Sequence, residues 1–580
     1  MDLQEMNVFS NVETKIKKGS PAFGIDLGTT NSAISVLRNG KDSEIISVGI
    51  NGSTTMPSCV MWKGDDKFII GEEAYKNRHK DSVIYSVKRL MGTEEKVTLR
   101  YGGKSIVLTP TEVSSLILKE LVKRASIQYG DIKDVVISIP AHFNDLQIRD
   151  TIKAGELAGL NVLTTIKEPT SAAINYEDLQ EESNIVEKTL VYDLGGGTFD
   201  ITLLEINKIT SEDLDDDLYC FADDNSEKVC NTVLTVLSTD GDTKLGGDDI
   251  DLELHRIILK KLMVRGIDIS KISREDKEDI KLRLEKFKKS GVGSYSMGLD
   301  FKLLDEHGTR VRETISVESD DFYEATKPIY RKTKQLVDKV LANNLVEVNQ
   351  MVLVGGSTKS EIIRQWLQED YPTMKINFAL NPDESVALGA GIQAYRTKYG
   401  SNDVQVFDVI PLAIGILTEG YVKKQIEANT GIPYSSYSLY STIVDNQEFI
   451  DVAIYQGNSL LKEECTYLGN LIINNIPRRK AGEVTVSINL AINAQGILKC
   501  KVNLEGKTYE KELVNLLKGG TIKTQVNDTA VLRWKNFAKT LPSDKRNHLL
   551  RLIEEYSINK DIREDIIEYI RVNKAKPNLK

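Results

Sequence analysis

The stretch PAFGIDLGTTNSAISVL, residues 21–37, decides the fold because a second stretch, TLVYDLGGGTFDITLLE at residues 189–205, repeats its pattern. Each contains an apolar strand, the triplet Asp-Leu-Gly, a turn of small residues and a second apolar strand. Asp26 and Asp193 stand at the same place in the two stretches. Their separation far exceeds the roughly 20–50 residues of a solenoid repeat and indicates a duplicated lobe. We therefore expect two similar α/β lobes that face one cleft.

The chain between and beyond these stretches alternates strand-like and helix-like segments. VVISIPAHF at residues 135–143 predicts a strand, and residues 148–160 have a helical pattern. MVLVGGSTKS at residues 351–360 predicts a buried strand, a Gly-Gly turn and a helix. A segment at about residues 210–231 carries eight acids and one lysine and predicts a solvated insertion rather than core. The lobes are thus predicted to be mixed α/β.

Composition and charge exclude several classes of protein. Of 580 residues, 41% are hydrophobic and 28% are charged, which is typical of a globular chain. The 75 basic and 85 acidic residues give a net charge of −10, so we expect no nucleic-acid partner. Five scattered cysteines without a CxxC pair favour a reducing compartment, and no apolar run of roughly eighteen residues predicts a membrane span. Because residues 1–20 also lack the apolar stretch of a secretory signal, we expect a cytoplasmic protein.

The sequence changes character near residue 401. SNDVQVFDVIP has a short apolar tract between acidic residues and predicts an interdomain linker at 401–410. Short alternating segments with turn signals follow and predict a β-sandwich over residues 411–512. The predicted order is an N-terminal extension at 1–20, the two-lobed domain at 21–400, the linker, the sandwich and a short helical segment at 513–580.

The two glycine turns are suited to bind phosphate. Glycine lets backbone N–H groups approach an anion closely, and the threonine hydroxyl groups add donors. One such turn alone is more often an ordinary hairpin, but two facing turns would clamp a polyphosphate. Carboxylates repel phosphate and instead suit a hydrated Mg²⁺ that bridges phosphate oxygens, which gives Asp26 and Asp193 a role. Asp200, at the end of the second turn, would join them.

Common nucleotide motifs are absent from the sequence. There is no GxxxxGK[ST] loop and no HRD or DFG set, which excludes P-loop enzymes and protein kinases. None of the five histidines stands in a Ser/His/Asp or metal-binding pattern. Phosphoryl transfer depends mainly on positioning and charge neutralisation, so a lysine and a carboxylate are required. Lys88 in VKRLMG and Glu168 in KEPTSAA are candidates, although from spacing alone a surface charge is the commoner explanation of each.

Eight motifs stand in the order seen in DnaK-type heat-shock chaperones, and this sequence resembles that family over about residues 22–505. The motifs are GIDLGTTNS, KRLMG, SIPAHFND, EPTSAA, VYDLGGGTFD, GDTKLGG, VLVGGSTK and NPDESVALGA. The short C-terminus and the phrase EVSSLILKEL resemble its HscC-like branch. The resemblance implies an actin-like ATPase domain coupled to a peptide-binding β-sandwich and a helical lid.

The resemblance also implies roles for individual residues. Catalysis would fall to Lys88, Glu168, Asp193 and Thr198. Mg²⁺ would be held through water by Asp26, Asp193 and Asp200. The remaining contacts to ATP or ADP would come from Gly28, Thr29, Thr30, Gly195, Gly196, Gly197, Glu285, Lys288, Gly355, Gly356, Lys359 and Asp383. Within this set, Glu285 and Lys288 would clamp adenosine, and Asp383 would close a polar floor where the family also holds K⁺.

In the sandwich, the resemblance implies that Ile416, Tyr440, Ile450 and Val452 receive an apolar side chain of a peptide. Without the family, the same four residues are more simply explained as ordinary core. Glu419 replaces an apolar residue that in the family helps to arch over the bound peptide.

Other positions depart from the family pattern. Lys359 stands where an arginine usually stacks on adenine, and an ammonium cannot stack as a planar guanidinium does, so we expect a weaker nucleotide affinity. Ile148 occupies the place of an arginine that relays between domains, with Arg149 displaced by one position, or about 100° around a helix. Gln405 interrupts the apolar linker. The departure at Lys359 concerns nucleotide affinity, and those at Ile148 and Gln405 concern the coupling between the domains.

The sequence predicts an ATP-dependent molecular chaperone that binds extended apolar peptide segments, with hydrolysis controlling peptide capture and release. A J-domain co-chaperone and a nucleotide-exchange factor are the partners that the resemblance implies. The alternatives are a small-metabolite kinase on the same lobes and a nucleotide-regulated assembly protein. The linker and the sandwich after Pro411 favour the chaperone, because a metabolite kinase does not require them.

Overall fold

The computed structural model describes residues 21–38, 41–178, 187–209, 231–290, 295–301, 311–344, 346–378, 380–400, 404–493 and 496–516. The predicted N-terminal extension, the acidic segment at 210–230 and the predicted helices after residue 516 lie outside these described residues. The described residues belong to one compact unit.

The first lobe is built on a six-stranded sheet. The strands of the whole lobe, six of which form this sheet, are β1 (Ala22–Leu27), β2 (Asn31–Arg38), β3 (Lys41–Ile45), β4 (Thr55–Pro57), β5 (Cys59–Trp62), β6 (Phe68–Ile70), β7 (Val83–Tyr85), β8 (Val97–Tyr101), β9 (Lys104–Leu108), β10 (Asp134–Ile139) and β11 (Asn161–Lys167). Its helices are α1 (Glu72–Lys76), α2 (Pro110–Tyr129), α3 (Asp145–Leu157) and α4 (Glu168–Asp178). The main sheet has the order β11-β10-β1-β2-β3, with β4 also paired to β2.

The second lobe repeats this arrangement. Its strands are β12 (Glu187–Leu194), β13 (Phe199–Ile209), β14 (Asn231–Asp242), β15 (Tyr295–Phe301), β16 (Val311–Val317), β17 (Gln350–Val354) and β18 (Lys375–Asn377). Its helices are α5 (Gly247–Val264), α6 (Arg274–Ser290), α7 (Ser319–Asn343) and α8 (Glu361–Asp370). The next helix, α9 (Ser385–Tyr399), packs on the sheet of the first lobe. β12 is antiparallel to β13 and parallel to β17, just as β1 is antiparallel to β2 and parallel to β10. The two quoted stretches thus form equivalent hairpins.

The local sequence explains how these elements form and pack. β1 is buried along almost its whole length, as expected of a strand in a partly parallel sheet with helices on both faces. α2 begins with a capping box, in which Thr109 and Glu112 satisfy each other's backbone N–H groups. α9 lies against β1 at a glycine contact, where a Cβ on Gly24 would come within 2.0 Å of the backbone nitrogen of Gly391. Only glycine permits this approach, which places α9 directly against the sheet of the first lobe.

The predicted linker begins as an edge strand of the second lobe. β19 (Val404–Phe407) runs parallel to β14, with Thr232 opposite Val404 and Thr235 opposite Phe407. The next residue, Asp408, accepts a hydrogen bond of 2.8 Å from Lys167 Nζ of the first lobe. The segment is therefore held by both lobes rather than extended through solvent.

The predicted sandwich consists of two four-stranded antiparallel sheets. Its strands are β20 (Ile414–Thr418), β21 (Tyr421–Ile426), β22 (Tyr434–Ser441), β23 (Phe449–Gln456), β24 (Thr466–Asn474), β25 (Thr485–Ile492), β26 (Ile497–Leu504) and β27 (Lys507–Asn515). The sheet orders are β21-β20-β23-β24 and β22-β25-β26-β27. β25 alternates between buried and more exposed residues, as a strand with one face on a core must. β27 continues beyond the predicted boundary at residue 512.

Side chains of the sandwich also contact the lobes. The backbone N–H of Asp145 donates to Gln456 Oε1 at 3.1 Å, and the backbone N–H of Thr239 donates to Asn429 Oδ1 at 2.9 Å. These bonds join α3 of the first lobe and β14 of the second lobe to the sandwich. Among the described helices, none combines the length and the apolar character needed to cross a membrane.

Candidate functional site

A cavity of about 520 Å³ lies between the two lobes and is bordered by both glycine turns. It collects predicted residues that are far apart in sequence. Those that line it are Asp26, Gly28, Thr29, Thr30, Lys88, Glu168, Asp193, Gly195, Gly196, Thr198, Glu285, Lys288, Gly355, Gly356, Lys359 and Asp383. Of the residues predicted to contact nucleotide or Mg²⁺, Gly197 and Asp200 are not part of this lining.

The two turns approach each other so closely that side chains are excluded. A Cβ on Gly196 would lie 1.8 Å from Thr30 Oγ1, and a Cβ on Gly197 would lie 2.4 Å from Thr29 Cγ2. The glycines therefore place backbone of the second lobe directly against the threonines of the first lobe. This is the facing arrangement that clamping a polyphosphate requires.

A buried ion pair lies beside the turns. Lys88 is on a short 3₁₀ helix, Val87–Leu90, and Glu168 is the first residue of α4. Lys88 Nζ lies 2.5 Å from Glu168 Oε1, and the two side chains are 5% and 9% exposed. Burial alone would lower the pKa of Lys88, but Glu168 and Asp26 raise it above its ordinary value. The lysine therefore presents a fixed positive charge to the cleft.

The acids around this pair are short of positive charge. Burial, followed by repulsion from Glu168, raises the pKa of Asp26 to about 6 and that of Asp200 to about 8. The same two causes hold the pKa of Asp193 well above its ordinary value. Together these shifts mean that each ionised carboxylate is costly in the cleft, so a bound cation would relieve the repulsion.

The acid set fits a hydrated Mg²⁺. Asp200 Oδ2 is buried and has no hydrogen-bond partner within the described part of the chain, whereas Asp26 Oδ1 accepts a bond of 2.7 Å from Ser138. Nowhere in the described ranges do three or more His, Cys, Asp or Glu side chains converge closely enough to ligate a metal directly. The carboxylates of Asp26, Asp193 and Asp200 suit the water molecules of a hydrated Mg²⁺, which prefers to keep several of them.

Glu285 on α6 is bound across the cleft to residues that sequence reasoning missed. Its carboxylate pairs with Arg78 and accepts a hydrogen bond from Tyr75, both of the first lobe. Lys289 Nζ lies 2.6 Å from Glu285 on its own helix. Burial would raise the pKa of Glu285, but Lys289 and Arg78 lower it to about 2. Arg78 lies in GEEAYKNRHK, which contains no motif, so no sequence signal marks it.

A second pair of missed residues also joins the lobes. Arg89 donates from Nε to Gly197 O at 2.9 Å and from Nη2 to Asp249 Oδ2 at 2.6 Å. Arg89 follows Lys88 in the motif KRLMG, and this neighbourhood is the signal that would have found it. Asp249, in LGGDD at the start of α5, carries no comparable signal. These bonds hold the second glycine turn against the first lobe.

The remaining predicted nucleotide contacts lie on the second lobe. Lys288 Nζ donates to Gly247 O at 2.8 Å and to Asp251 Oδ2 at 2.7 Å. Lys359 and Asp383, which were predicted at different parts of the site, form a pair of 2.5 Å at the cleft's edge. The ammonium of Lys359 is therefore held towards a carboxylate.

Ile148 and Arg149 occupy different faces of α3. Ile148 is 6% exposed and packs with Ile139 and Phe143. Arg149 forms an ion pair with Asp145, whose N–H donates to the sandwich. The displacement of the arginine by one position thus leaves Arg149 close to the interdomain contact, while Ile148 packs in the core of the first lobe.

The four predicted peptide-pocket residues join one core cluster but differ in exposure. Ile416 and Val452 are 2% and 1% exposed, whereas Tyr440 and Ile450 are half-buried and pack against that cluster. Apolar side chains near the latter pair reach solvent, including Leu439, Ile443, Val444 and Phe449. Glu419 is exposed in the turn between β20 and β21.

Known proteins resemble this chain over most of its length. The sequence model of the Hsp70 protein family matches residues 22–212 and 228–569. The chaperone protein dnaK1 of Synechocystis sp. is 33% identical over 532 residues, which cover 86% of this chain and 72% of that relative. The family match leaves out residues 213–227, which lie inside the predicted acidic insertion.

Proposed function

Since this chain belongs to the Hsp70 family, it is an ATP-dependent molecular chaperone and an ATPase, and we propose that the cleft between its lobes is the site of hydrolysis. The family implies an actin-like ATPase fold with a β-sandwich domain, in agreement with the mixed α/β lobes and the two packed sheets. Neither comparison favours the alternative of a small-metabolite kinase or an assembly protein.

The observation that carries the proposal is the buried Lys88–Glu168 pair between two facing glycine turns. Burying this pair among Asp26, Asp193 and Asp200 lowers the stability of the folded state, so a role in stability does not account for these residues. Perturbed groups of this kind cluster at functional sites. A nucleotide triphosphate supplies the phosphates for the turns, and Mg²⁺, when bound, neutralises phosphate charge beside the three aspartates.

Each of the four catalytic candidates has a distinct role in this proposal. Lys88 Nζ contacts the γ-phosphate and helps to orient the attacking water, while Glu168 fixes the position of the ammonium. Asp193 would help to hold the hydrated Mg²⁺ when the ion is bound. Thr198, which is 7% exposed at the end of the second turn, donates a hydrogen bond from its hydroxyl to the γ-phosphate. Water adds to the γ-phosphorus as the bond from that phosphorus to the β–γ bridging oxygen breaks. The electron pair of this bond leaves with ADP, and the protons of the water stay on the phosphate or pass to solvent.

The sandwich is proposed to hold an extended apolar peptide segment. Tyr440 and Ile450 are accessible from solvent and border several exposed apolar side chains around the β22–β23 loop, Leu439, Ile443 and Phe449 among them. Exposed apolar groups that cluster in this way mark a binding surface. Ile416 and Val452 would support this pocket from the core behind it.

The hairpin β13–β14 is proposed to couple the two sites. At its cleft end Asp200 is opposite Gly241, and further along the same β14 strand Thr235 is opposite Phe407 of the linker. A ligand that moves Asp200 therefore acts on the strand to which β19 is paired. Nucleotide and peptide would thus act on one shared element, and coupling requires that the contacts of this element differ between two states.

The finer assignments remain proposals. A J-domain co-chaperone, a nucleotide-exchange factor and K⁺ at the polar floor beside Asp383 are carried over from the family. The cytoplasmic location stays a prediction from the cysteine content and the N-terminal sequence.

The experiment that tests the coupled mechanism compares peptide release from the full chain with ADP and with ATP. We expect ATP to accelerate release and an apolar peptide to raise ATP turnover, with an acidic peptide of the same length as control. Release rates that do not depend on the nucleotide, together with turnover that does not respond to peptide, would contradict the proposed coupling.

A further inference from the structure

The proposed peptide pocket has a polar corner, formed by Lys423, Gln425 and Tyr440, whose polar groups the roles above do not use. Lys423 and Gln425 lie on β21 and Tyr440 lies on β22; these are edge strands of the two sheets and they contact each other. Tyr440 is half-buried and packs against the core of the sandwich, while its hydroxyl contacts Gln425. The aromatic residue of the pocket thus ends in a polar group.

The hydrogen bonds of Gln425 determine what the Tyr440 hydroxyl can do. Gln425 Oε1 accepts a bond from the hydroxyl of Ser438, and Gln425 Nε2 donates to the backbone oxygen of Lys424 at 3.2 Å. The reverse orientation of the amide would set two oxygens against each other at Lys424. Nε2 also donates to the Tyr440 hydroxyl oxygen at 2.7 Å, so the hydroxyl is the acceptor in that bond. Its own proton remains to be donated, and no group in the described part of the chain accepts it.

An ammonium group lies beside the same ring. Lys423 Nζ is 5.5 Å from the centre of the Tyr440 ring, within the range in which an aromatic face attracts a cation. Lys423 is exposed, and among the described residues no carboxylate forms an ion pair with it, whereas the neighbouring Lys424 lies 3.7 Å from Glu427. The polar corner therefore offers two donors, a hydroxyl proton and an ammonium.

The position of Lys423 places these donors beside the pocket. Lys423 is opposite Ile416, one of the four predicted pocket residues, in the ladder between β20 and β21. Glu419, at the tip of the same hairpin, stands three residues beyond Ile416, which is roughly 10 Å along a strand. At this separation salt largely screens the attraction between exposed charges. The carboxylate of Glu419 therefore does not neutralise the polar corner.

We propose that the polar corner binds a carboxylate next to the apolar anchor of a client, so that the sandwich prefers apolar segments with an adjacent Asp or Glu. This inference rests on the proposed peptide pocket. A carboxylate accepts from both the Tyr440 hydroxyl and the Lys423 ammonium, and hydrogen bonds to charged groups are the stronger ones. A basic residue at the same place in the peptide is repelled by Lys423. The acid acts beside the anchor and does not replace it, so a wholly acidic peptide lacks the apolar contact.

The test measures dissociation constants of labelled peptides for the full chain with ADP. The peptides are acetylated and amidated, and they differ only in whether Glu, Gln or Lys stands beside a central leucine. One set varies the residue before the leucine and the other varies the residue after it. In at least one set we expect the Glu peptide to bind about three- to tenfold more tightly than the Gln peptide, through one exposed ion pair and one hydrogen bond. The Lys peptide should bind more weakly than the Gln peptide.

Variants of the polar corner should change this ratio of dissociation constants in a defined order. Lys423→Gln should remove most of the preference, Lys423→Arg should retain it, and Lys423→Glu should reverse it in favour of the Lys peptide. Tyr440→Phe removes only the hydroxyl and should reduce the preference to about two- to threefold, the contribution of the ion pair. Lys501→Gln is the matched control, because Lys501 is exposed on β26, two strands away from β22.

The ratios separate failure of this inference from failure of the pocket. Equal binding of the Glu and Gln peptides in both sets, or a preference that Lys423→Gln leaves unchanged, would overturn the carboxylate assignment while the peptide pocket stands. A further peptide that ends in a free carboxylate directly after the leucine tests the other source of this group. A preference for that peptide alone would overturn the choice of an Asp or Glu side chain. A wild type that binds none of the peptides would overturn the proposed pocket, and this inference with it.

Discussion

The cleft and the sandwich are both built from buried candidate residues, but the residues are of opposite kinds. The cleft buries Lys88, Asp193 and Asp200, which are 5%, 6% and 2% exposed. The sandwich buries Ile416 and Val452 to a similar degree. A buried charge is costly and calls for a ligand or a partner, whereas a buried isoleucine or valine is what any core contains. Burial thus indicates function in the cleft and gives no such indication in the sandwich.

The largest effect is expected when the buried positive charge of the cleft is removed, which tests whether burial there indicates function. Lys88→Ala should slow hydrolysis by about a hundredfold or more, because one group that stabilises developing charge is lost. ATP binding should persist, since the adenosine contacts lie elsewhere. Thr198→Ala should slow hydrolysis by about tenfold through the loss of one hydroxyl. Single-turnover hydrolysis and the ATP dissociation constant measure the two effects.

Lys96→Ala is the control for Lys88→Ala, because Lys96 is exposed and does not line the cavity. Hydrolysis at the wild-type rate in both the Lys88 and the Thr198 variants would end the assignment of the cleft.

The second test asks which residues of β23 belong to the peptide pocket and which belong to the core of the sandwich. Ile450→Asp should weaken peptide binding by about tenfold or more, because it places an unpaired carboxylate in an apolar pocket. ATP hydrolysis should remain, since Ile450 lies in the sandwich. Val452→Asp should instead unfold the sandwich, because Val452 is 1% exposed. Fluorescence anisotropy of a labelled peptide with ADP and resistance to proteolysis distinguish the outcomes.

Asp451→Asn is the matched control, as Asp451 is exposed on the opposite face of the same strand. If the Val452 variant stays folded and loses only peptide binding, Val452 belongs to the pocket and the contrast with the cleft disappears.

The third test concerns the linker that joins the two regions. Replacing Val406 and Phe407 by aspartate should leave peptide binding in ADP intact, because the two side chains are 38% and 45% exposed. The acceleration of peptide release by ATP should fall to the ADP rate, since β19 would no longer pair stably with β14. Stopped-flow release measurements with both nucleotides give the ratio. An unchanged ratio would show that the linker does not carry the coupling.

The smallest expected effect is on thermal stability, and it comes from the ion pair of Glu285 in the cleft. The pKa of Glu285 is lowered to about 2, so its pairing stabilises the folded state above the ordinary carboxyl pKa of about 4. This contribution is lost as the pH falls from about 4 to about 2. Glu285→Gln should lower the unfolding midpoint at pH 7 by about one or two degrees, since one kcal/mol shifts even a smaller domain of roughly 150–250 residues by only about 2–4 °C. The difference should shrink towards pH 3.

Asp279→Asn on the same helix is the control, because the Asp279–Arg283 pair is largely exposed and should contribute little. Thermal unfolding without nucleotide, followed across this pH range, measures both variants. A Glu285→Gln difference that does not depend on pH would contradict the ion-pair explanation.

Part of this site could be predicted because the signals are local. The glycine turns are set by backbone geometry over a few residues, and their duplication indicated two equivalent hairpins before any contact was known. The structure also brings Lys88 and Glu168 together as the resemblance implied. The assignment of Tyr440 and Ile450 to a pocket stays a prediction, since their partial exposure is compatible with it but does not test it.

The sequence by itself determined the two lobes, the paired glycine turns and the order of lobes and sandwich, because strand periodicity and glycine placement act over short distances. Only the tertiary structure decided that Arg78 pairs with Glu285, that Ile148 packs in a core beside Phe143, and that the linker begins as an edge strand. The physical reason is that these are contacts between distant segments. Many basic side chains in a chain with 75 of them could reach Glu285 from distant segments, and folding selects Arg78 through packing that no local pattern encodes.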